Sequence, residues 1–197
     1  PAEKPWEMVE IWGSAITPEL ARLMKEFLNS GLEGKAKFEA AWDSLKDEMK
    51  DAKTELSRTH RGAFLVIDYA ENPKGRIIGA VFYVVLYTSR RFGNAGKTYI
   101  NAFEINPRLR RAGIGRSLIA AVVKKSKDLG GSGLVVADCG LISDDFKEFA
   151  AKIGMTDRGW KGWGFHNKAQ ADKFLRKVSK GKLLAVAKAG SPLEADF

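Results

Sequence analysis

The sequence predicts an α/β (α+β) fold in which a mixed, mostly antiparallel central sheet is flanked by helices. Three observations predict it. Two amphipathic helical stretches fill the first third of the chain, strand-like runs through residues 63–87 pair as a hairpin, and a strand, glycine-rich turn, helix and buried strand follow over residues 97–137. At 197 residues and 45% hydrophobic content, the chain can bury one good core. A single domain over 1–197 is therefore expected, with residues from about 183 to 197 as a flexible tail.

Taken in order, Trp6–Trp12 roughly alternates apolar and polar residues, which suggests a first strand. Thr17 is a good helix N-cap, Pro18 suits the first helical position, and Leu20, Leu23, Met24, Phe27 and Leu28 recur at helical spacing, with Gly31 as the stop. A second helix over 34–57 carries Phe38, Ala41, Trp42, Leu45, Met49, Ala52 and Leu56 on one stripe. Ala63–Ala70, the turn Asn72-Pro73-Lys74-Gly75 and Arg76–Tyr87 then read as a β-hairpin. After a basic loop at 89–96, Lys97–Ile105 reads as a fourth strand. A helix starting near Gly113, with Ile114, Leu118, Ala121 and Val122 on one face, runs to Gly130-Gly131, and Leu134–Ala137 reads as a buried fifth strand. Ser143 can cap a further helix to Ile153, with Phe146, Phe149, Ala150 and Ile153 as its apolar stripe and Gly154 as its stop. The Trp/Gly-rich stretch Thr156–Phe165 has no clear conformation, and an amphipathic helix follows at about 167–179, with Phe174, Leu175 and Val178 inward.

Charge narrows the ligand class. Thirty-three basic residues against 24 acidic ones give a net charge of +9, which favours anionic ligands. The excess is uneven: from Arg158 to Lys188 nine residues are basic and only Asp172 is acidic. A solvated face explains such a run, and an acidic or nucleic-acid partner is the functional alternative, although no nucleic-acid-binding motif accompanies it. No stretch approaches the roughly eighteen apolar residues of a membrane span, and no signal peptide opens the sequence, so no membrane partner and a cytoplasmic location are expected. The lone Cys139 reads as a small buried hydrophobe. His60 reads as an exposed loop residue, and His166 beside Trp160, Trp163 and Phe165 as part of an aromatic cluster at the core edge. With two histidines and one cysteine at unrelated spacings, no metal site is expected.

The chemistry is carried by Arg110-Arg111-Ala112-Gly113-Ile114-Gly115, between a strand and a helix. Consecutive amides and the positive end of a helix dipole there face one point, which suits a pyrophosphate. Glycines 113 and 115 let phosphate oxygens approach the backbone, and Arg110, Arg111 and Arg116 add positive charge. Leu118 stands where a dinucleotide fingerprint needs its third glycine, and no Gly-Lys-Ser/Thr follows, so neither a nicotinamide site nor a P-loop fits.

With Ile105-Asn106-Pro107 followed by Arg110-x-x-Gly113-x-Gly115, the segment resembles the GNAT superfamily of acyl-CoA N-acyltransferases, and the order of elements is similar from about Ala63 to Met155. The resemblance implies the acyl-CoA N-acyltransferase fold, with strands four and five splayed apart, and acetyl-CoA as cofactor. It implies that backbone groups of Phe103, Glu104 and Ile105 pair with the pantetheine arm. Arg110, Arg111, Ala112, Gly113, Ile114, Gly115 and Arg116 would then hold the pyrophosphate.

Acyl transfer to an amine needs a base, oxyanion stabilisation and departure of a thiolate. The resemblance puts Glu104 at the position of a carboxylate base, often acting through water, and a backbone amide near Ile105 as oxyanion donor. The alternative for Glu104 is a strand-edge carboxylate whose pKa a nearby arginine lowers. Ser143 stands where the family often has a cofactor-contacting asparagine, and it also reads as a helix cap. The family's usual tyrosine acid is replaced by Ala150. Tyr83 and Tyr99 could substitute by residue type, but each reads first as a core tyrosine. A thiol pKa near 8.5 makes the thiolate a tolerable leaving group without an acid. The expectation is an N-acetyltransferase acting on a primary amine, in a small molecule or protein, by direct attack in a ternary complex. Its rival is a catalytically weak binding module of the same fold that contacts nucleic acid or an acidic partner through the basic C-terminal third.

Overall fold

A computed structural model describes residues 6–12, 16–51, 59–86, 96–137, 143–179 and 186–187, without the side chains of 48–51, 160 and 186–187. Strands β1 (Trp6–Ile11), β2 (Thr59–Asp68), β3 (Arg76–Leu86), β4 (Thr98–Ile105), β5 (Val135–Ala137), β6 (Thr156–Asp157), β7 (Trp163–Gly164) and β8 (Val186–Ala187) form one sheet, in the order β6-β7-β5-β4-β3-β2-β1-β8. Helices are α1 (Pro18–Leu28), α2 (Lys35–Asp51), α3 (Ile114–Asp128), α4 (Asp144–Ile153) and α5 (Lys168–Ser179). β1 to β4 pair antiparallel, whereas β4 and β5 run parallel, as the α3 crossover requires.

The alternation of the central strands divides the core in two. Phe64 and Val66 on β2, and Val81, Tyr83 and Val85 on β3, face α3, α4 and α5. Ala63, Leu65 and Ile67, with Ala80 and Phe82, face α1 and α2. Because both faces of β2 and β3 are covered, these strands read in sequence as continuous apolar runs. Gly79 lets α3 settle on β3: a Cβ there would meet Ile114 at 2.9 Å.

Local signals set the helix ends. The Leu20 amide donates to Thr17 Oγ1 (3.2 Å) and the Phe146 amide to Ser143 Oγ (3.1 Å), while Gly154 closes α4 at φ 92°. α1 stops earlier than Gly31: the chain leaves the helix at Leu28 with Asn29 as the cap. The Asn72–Gly75 turn joins β2 and β3, with the Gly75 amide donating to the Asn72 carbonyl (2.7 Å).

One expectation meets a different outcome, and three further features come from the structure. His60 lies on β2, half-buried, instead of in an exposed loop, because the strand begins at Thr59, upstream of the apolar run. Thr156–Phe165 folds as the small β6–β7 hairpin around a single 3-10 turn, added to the edge at β5. Asn101 is an extra residue on β4, since Phe82 pairs with Ala102 and Tyr83 with Ile100. Such a bulge bends the strand that leads into the glycine motif. Val186–Ala187, within the stretch read as a tail, pairs parallel with Met8–Val9 of β1. The predicted 52–57 end of the second helix, the loop at 89–95, Cys139 and the rest of the tail lie outside the described residues. Among the described residues no helix is long and apolar enough to cross a membrane.

Candidate active site

Among the described residues, β4 pairs with β5 at Thr98–Val135, Tyr99–Val136 and Ile100–Ala137. Past Ile100, β4 continues to Ile105 with no described strand on its β5 side. A cleft of about 730 Å³ opens there. It takes in Phe103, Glu104 and Ile105 from β4, and Arg110, Arg111, Gly113, Gly115 and Arg116 from the turn and first turn of α3. One wall is α4; the other is the start of α2, with Glu33, Gly34, Lys37 and Phe38.

The turn is built to present amides. Asn106 Oδ1 accepts from the Arg108 amide (3.0 Å), and Pro107–Leu109 form a 3-10 turn. Arg111 then adopts φ 71° and Gly113 φ 90°, both in the left-handed region. Among the described residues, no acceptor meets the amides of Arg111, Gly113, Ile114, Gly115 or Arg116, and the Ser117 amide is the first to bond inside the helix, to the Gly113 carbonyl (3.1 Å). Amides presented in this way, together with the positive end of α3, make an anion-binding concavity. The ring expected from the sequence loses one member: the Ala112 amide donates to the Leu109 carbonyl (3.3 Å), closing the preceding turn. The Ile114 side chain is buried under β3, so only its backbone faces the cleft side.

The two glycines are needed for different reasons. A Cβ at Gly113 would meet nothing within 4 Å, so its requirement is conformational. At Gly115, a Cβ would meet Ile105 at 2.8 Å and the Phe149 ring at 3.1 Å, so this glycine also sets how closely α3 approaches β4 and α4.

Charges follow the same division. Among the described residues Arg111 and Arg116 form no ion pair within hydrogen-bonding reach, although the Arg111 charge acts on Glu148, whereas Arg110 ion-pairs with Asp145 and lies 3.9 Å from Glu104. Glu104 itself is largely buried, at 21% exposure. Burial pushes its carboxyl pKa up, against the opposing pull of the Arg110 guanidinium and the Ile105 amide; Glu33 and Asp145 push the same way as burial. The net direction is upward, opposite to that of a strand-edge carboxylate held down by an arginine.

The remaining candidates separate cleanly. Ser143 lines the cleft, but its hydroxyl accepts from the Phe146 amide. Ala150 is fully buried in the α3-side core and Tyr83 is 1% exposed. Tyr99 is half-buried at the paired end of β4, and His166 is exposed. Several lining residues are not singled out by the sequence. Beside Phe149 of its apolar stripe, α4 contributes Asp145, Glu148 and Lys152, whose helical spacing on one face is the signal that carries them. Phe149 stacks on Phe103 at 5.6 Å between ring centroids, and Phe146 meets Phe103 edge-on at 5.7 Å.

Solved structures share this architecture. A GNAT-family protein from Desulfovibrio desulfuricans superposes with a TM-score of 0.55 at 16% identity, over 78% of this chain and 87% of that one. The AtaT toxin bound to the C-terminus of its antitoxin AtaR gives 0.53 at 11%, over 86% and 97%. A chain of the NatC complex bound to Gag peptide and CoA gives 0.55 at 12%, over 81% and 95%. At these identities the likeness is one of fold. No curated protein matches the chain in sequence. The model of the Acetyltransferase (GNAT) family matches residues 24–155, more than half of the chain and every element that lines the cleft, and the chain belongs to that family.

Proposed function

We propose that the protein is an N-acyltransferase that passes the acetyl group of acetyl-CoA to a primary amine by direct attack in a ternary complex. The observation that carries this reading is the set of amides at Arg111 and Gly113–Arg116 that meet no acceptor among the described residues, in a cleft that runs along the Phe103–Ile105 end of β4. The site fits the cofactor: the space beside Gly113 is open, and neither Arg111 nor Arg116 is tied up in a close ion pair among the described residues. Two of the fold relatives carry the same class of ligand, CoA in the NatC complex and acetyl-CoA in an AtaT–AtaR structure at TM-score 0.50.

When bound, acetyl-CoA supplies an activated acyl carbon and a thiol whose anion leaves readily near neutral pH. The chain supplies the rest. The amides of Arg111 and Gly113–Arg116, with the guanidinium groups of Arg110, Arg111 and Arg116, would hold the diphosphate. Backbone groups of Phe103, Glu104 and Ile105 would pair with the pantetheine arm as an added strand. Glu104, with its raised pKa, would accept the proton of the amine, directly or through one water. A backbone amide near Ile105 would stabilise negative charge on the acyl oxygen. With Ala150 in place of a tyrosine, no side-chain acid is assigned.

The test is calorimetric titration with acetyl-CoA, followed by release of free CoA thiol in the presence of a panel of amines. Saturable binding and amine-dependent thiol release are expected. No heat at millimolar acetyl-CoA would end the proposal. Binding without turnover on any amine would favour the second reading, a ligand-binding module of this fold, to which the buried Ala150 points.

A further inference from the structure

Arg110 stands between carboxylates on two different elements. Its Nη1 pairs with Asp145 in the first turn of α4, and its Nη2 lies 3.9 Å from Glu104 Oε1 on β4. All three residues line the cleft, immediately before the free amides of the α3 turn.

We propose that Arg110 is a positioning residue for Glu104: a diphosphate held at 111–116 draws the guanidinium off both carboxylates and leaves Glu104 free to take the acceptor's proton. The inference rests on the acyltransferase reading above and adds to it an order of events. Neither existing contact would hold Arg110 against a phosphate. Arg110 and Asp145 are 45% and 69% exposed, and exposed pairs of this kind are weak. Asp145 lies in the N-terminal turn of α4, where the helix dipole stabilises its charge without help. At 3.9 Å the contact with Glu104 is an ion pair and not a hydrogen bond. A diphosphate offers more charge and the two-point geometry that suits a guanidinium.

The consequence falls on Glu104, the least exposed of the three. Facing it are Arg110 from the turn, Glu33 just before α2, Asp145 on α4 and the Ile105 amide on its own strand; Lys37 of α2 lines the same cleft. Of the groups shown to act on it, only Arg110 and the Ile105 amide favour its charged form. Once Arg110 turns to phosphate, burial and two neighbouring carboxylates act against little opposition. Glu104 would therefore hold a proton most firmly when the cofactor is in place.

Carbon-detected NMR titration of the glutamate carboxyl signals, with Glu104 assigned through E104Q, reads this without turnover. Saturating CoA is expected to raise the Glu104 midpoint by roughly one pH unit in the wild type. In R110Q the midpoint should be raised before CoA is added and should move little on its addition. In D145N, with the guanidinium left to Glu104 alone, the midpoint of the free protein should fall. A wild-type midpoint unmoved by CoA that calorimetry shows to be bound overturns the coupling and leaves the acyltransferase reading standing. So does an R110Q midpoint equal to the wild type; should R110Q fail to fold, an unmoved midpoint in D145N counts the same way. Absence of CoA binding overturns both.

Discussion

Arg111 and Gly113 both occupy the left-handed region, yet only one is glycine. A side chain in that conformation costs on the order of 1 kcal/mol, and here the strain serves to turn successive amides toward one point. R111G should therefore hold or raise the melting temperature while weakening CoA binding by about 1.5–3 kcal/mol, the worth of a charge-assisted contact. A lower melting temperature for R111G would mean that the arginine is not strained. Glu104 opposes stability to function in the same way. Its folded pKa lies above the unfolded value, so the folded state binds the extra proton and stability falls as pH rises from about 4.3 through the folded pKa. E104Q removes that penalty. Thermal melts at pH 7 should show it as stable as the wild type or more so, with the advantage shrinking as pH falls through the folded pKa and gone below about 4.3. In amine-dependent thiol release, kcat should fall by about 10²–10⁴. A destabilised E104Q with normal turnover would remove Glu104 from the mechanism.

At the scale of elements, α4 shows what a sequence can and cannot disclose. Ser143, Gly154 and the stripe Phe146, Ala150 and Ile153 are legible because caps and helical spacing depend on neighbours in the chain. That another edge of the helix also walls the cleft is not legible, because it depends on how α4 sits against the Phe103–Ile105 end of β4. The β4 bulge at Asn101 and the packing duty of Gly115 against Phe149 are hidden for the same reason: each is a relation between distant segments. The candidate loop itself was readable, since strand, glycines and helix are contiguous, but its Ala112 amide was not distinguishable from its neighbours. Two substitutions separate the roles within α4. S143A should lose about 1 kcal/mol of stability, the value of a cap, with little change in kcat; a large kcat loss without a stability loss would make the hydroxyl catalytic. A150Y, which installs the acid that the family resemblance leads one to expect, should destabilise by about 1–3 kcal/mol, because Ala150 is fully buried against the α3-side core. A folded A150Y with faster turnover would show that the position still opens onto the cleft.

Across the whole molecule, one sheet separates two cores, and the cleft borders both, beside the Phe103–Ile105 end of β4 with α2 on one side and α4 on the other. The opposite end of the same sheet carries a different electrostatic arrangement. His60 lies on β2 between the rings of Trp12 (5.7 Å) and Tyr83 (6.1 Å), near Lys125, whose Nζ pairs with Glu10. Burial first, and then the Lys125 charge, push the imidazole pKa down to about 4. The unfolded chain takes up this proton near pH 6.5, so the folded state should lose stability as pH falls from about 6.5 to about 4, by on the order of 1–3 kcal/mol. Glu104 works in the other direction at acid pH, since its protonation favours the fold, so the His60 contribution is best isolated by difference. Melting temperatures of wild type and H60Q, measured at intervals from pH 7 to pH 4, should differ most at pH 7 and converge as pH falls: H60Q loses packing at pH 7 but lacks the acid-driven decline. Parallel curves over that range would mean that the imidazole charges as easily in the fold as outside it, and that the Trp12–His60–Tyr83 cluster admits water.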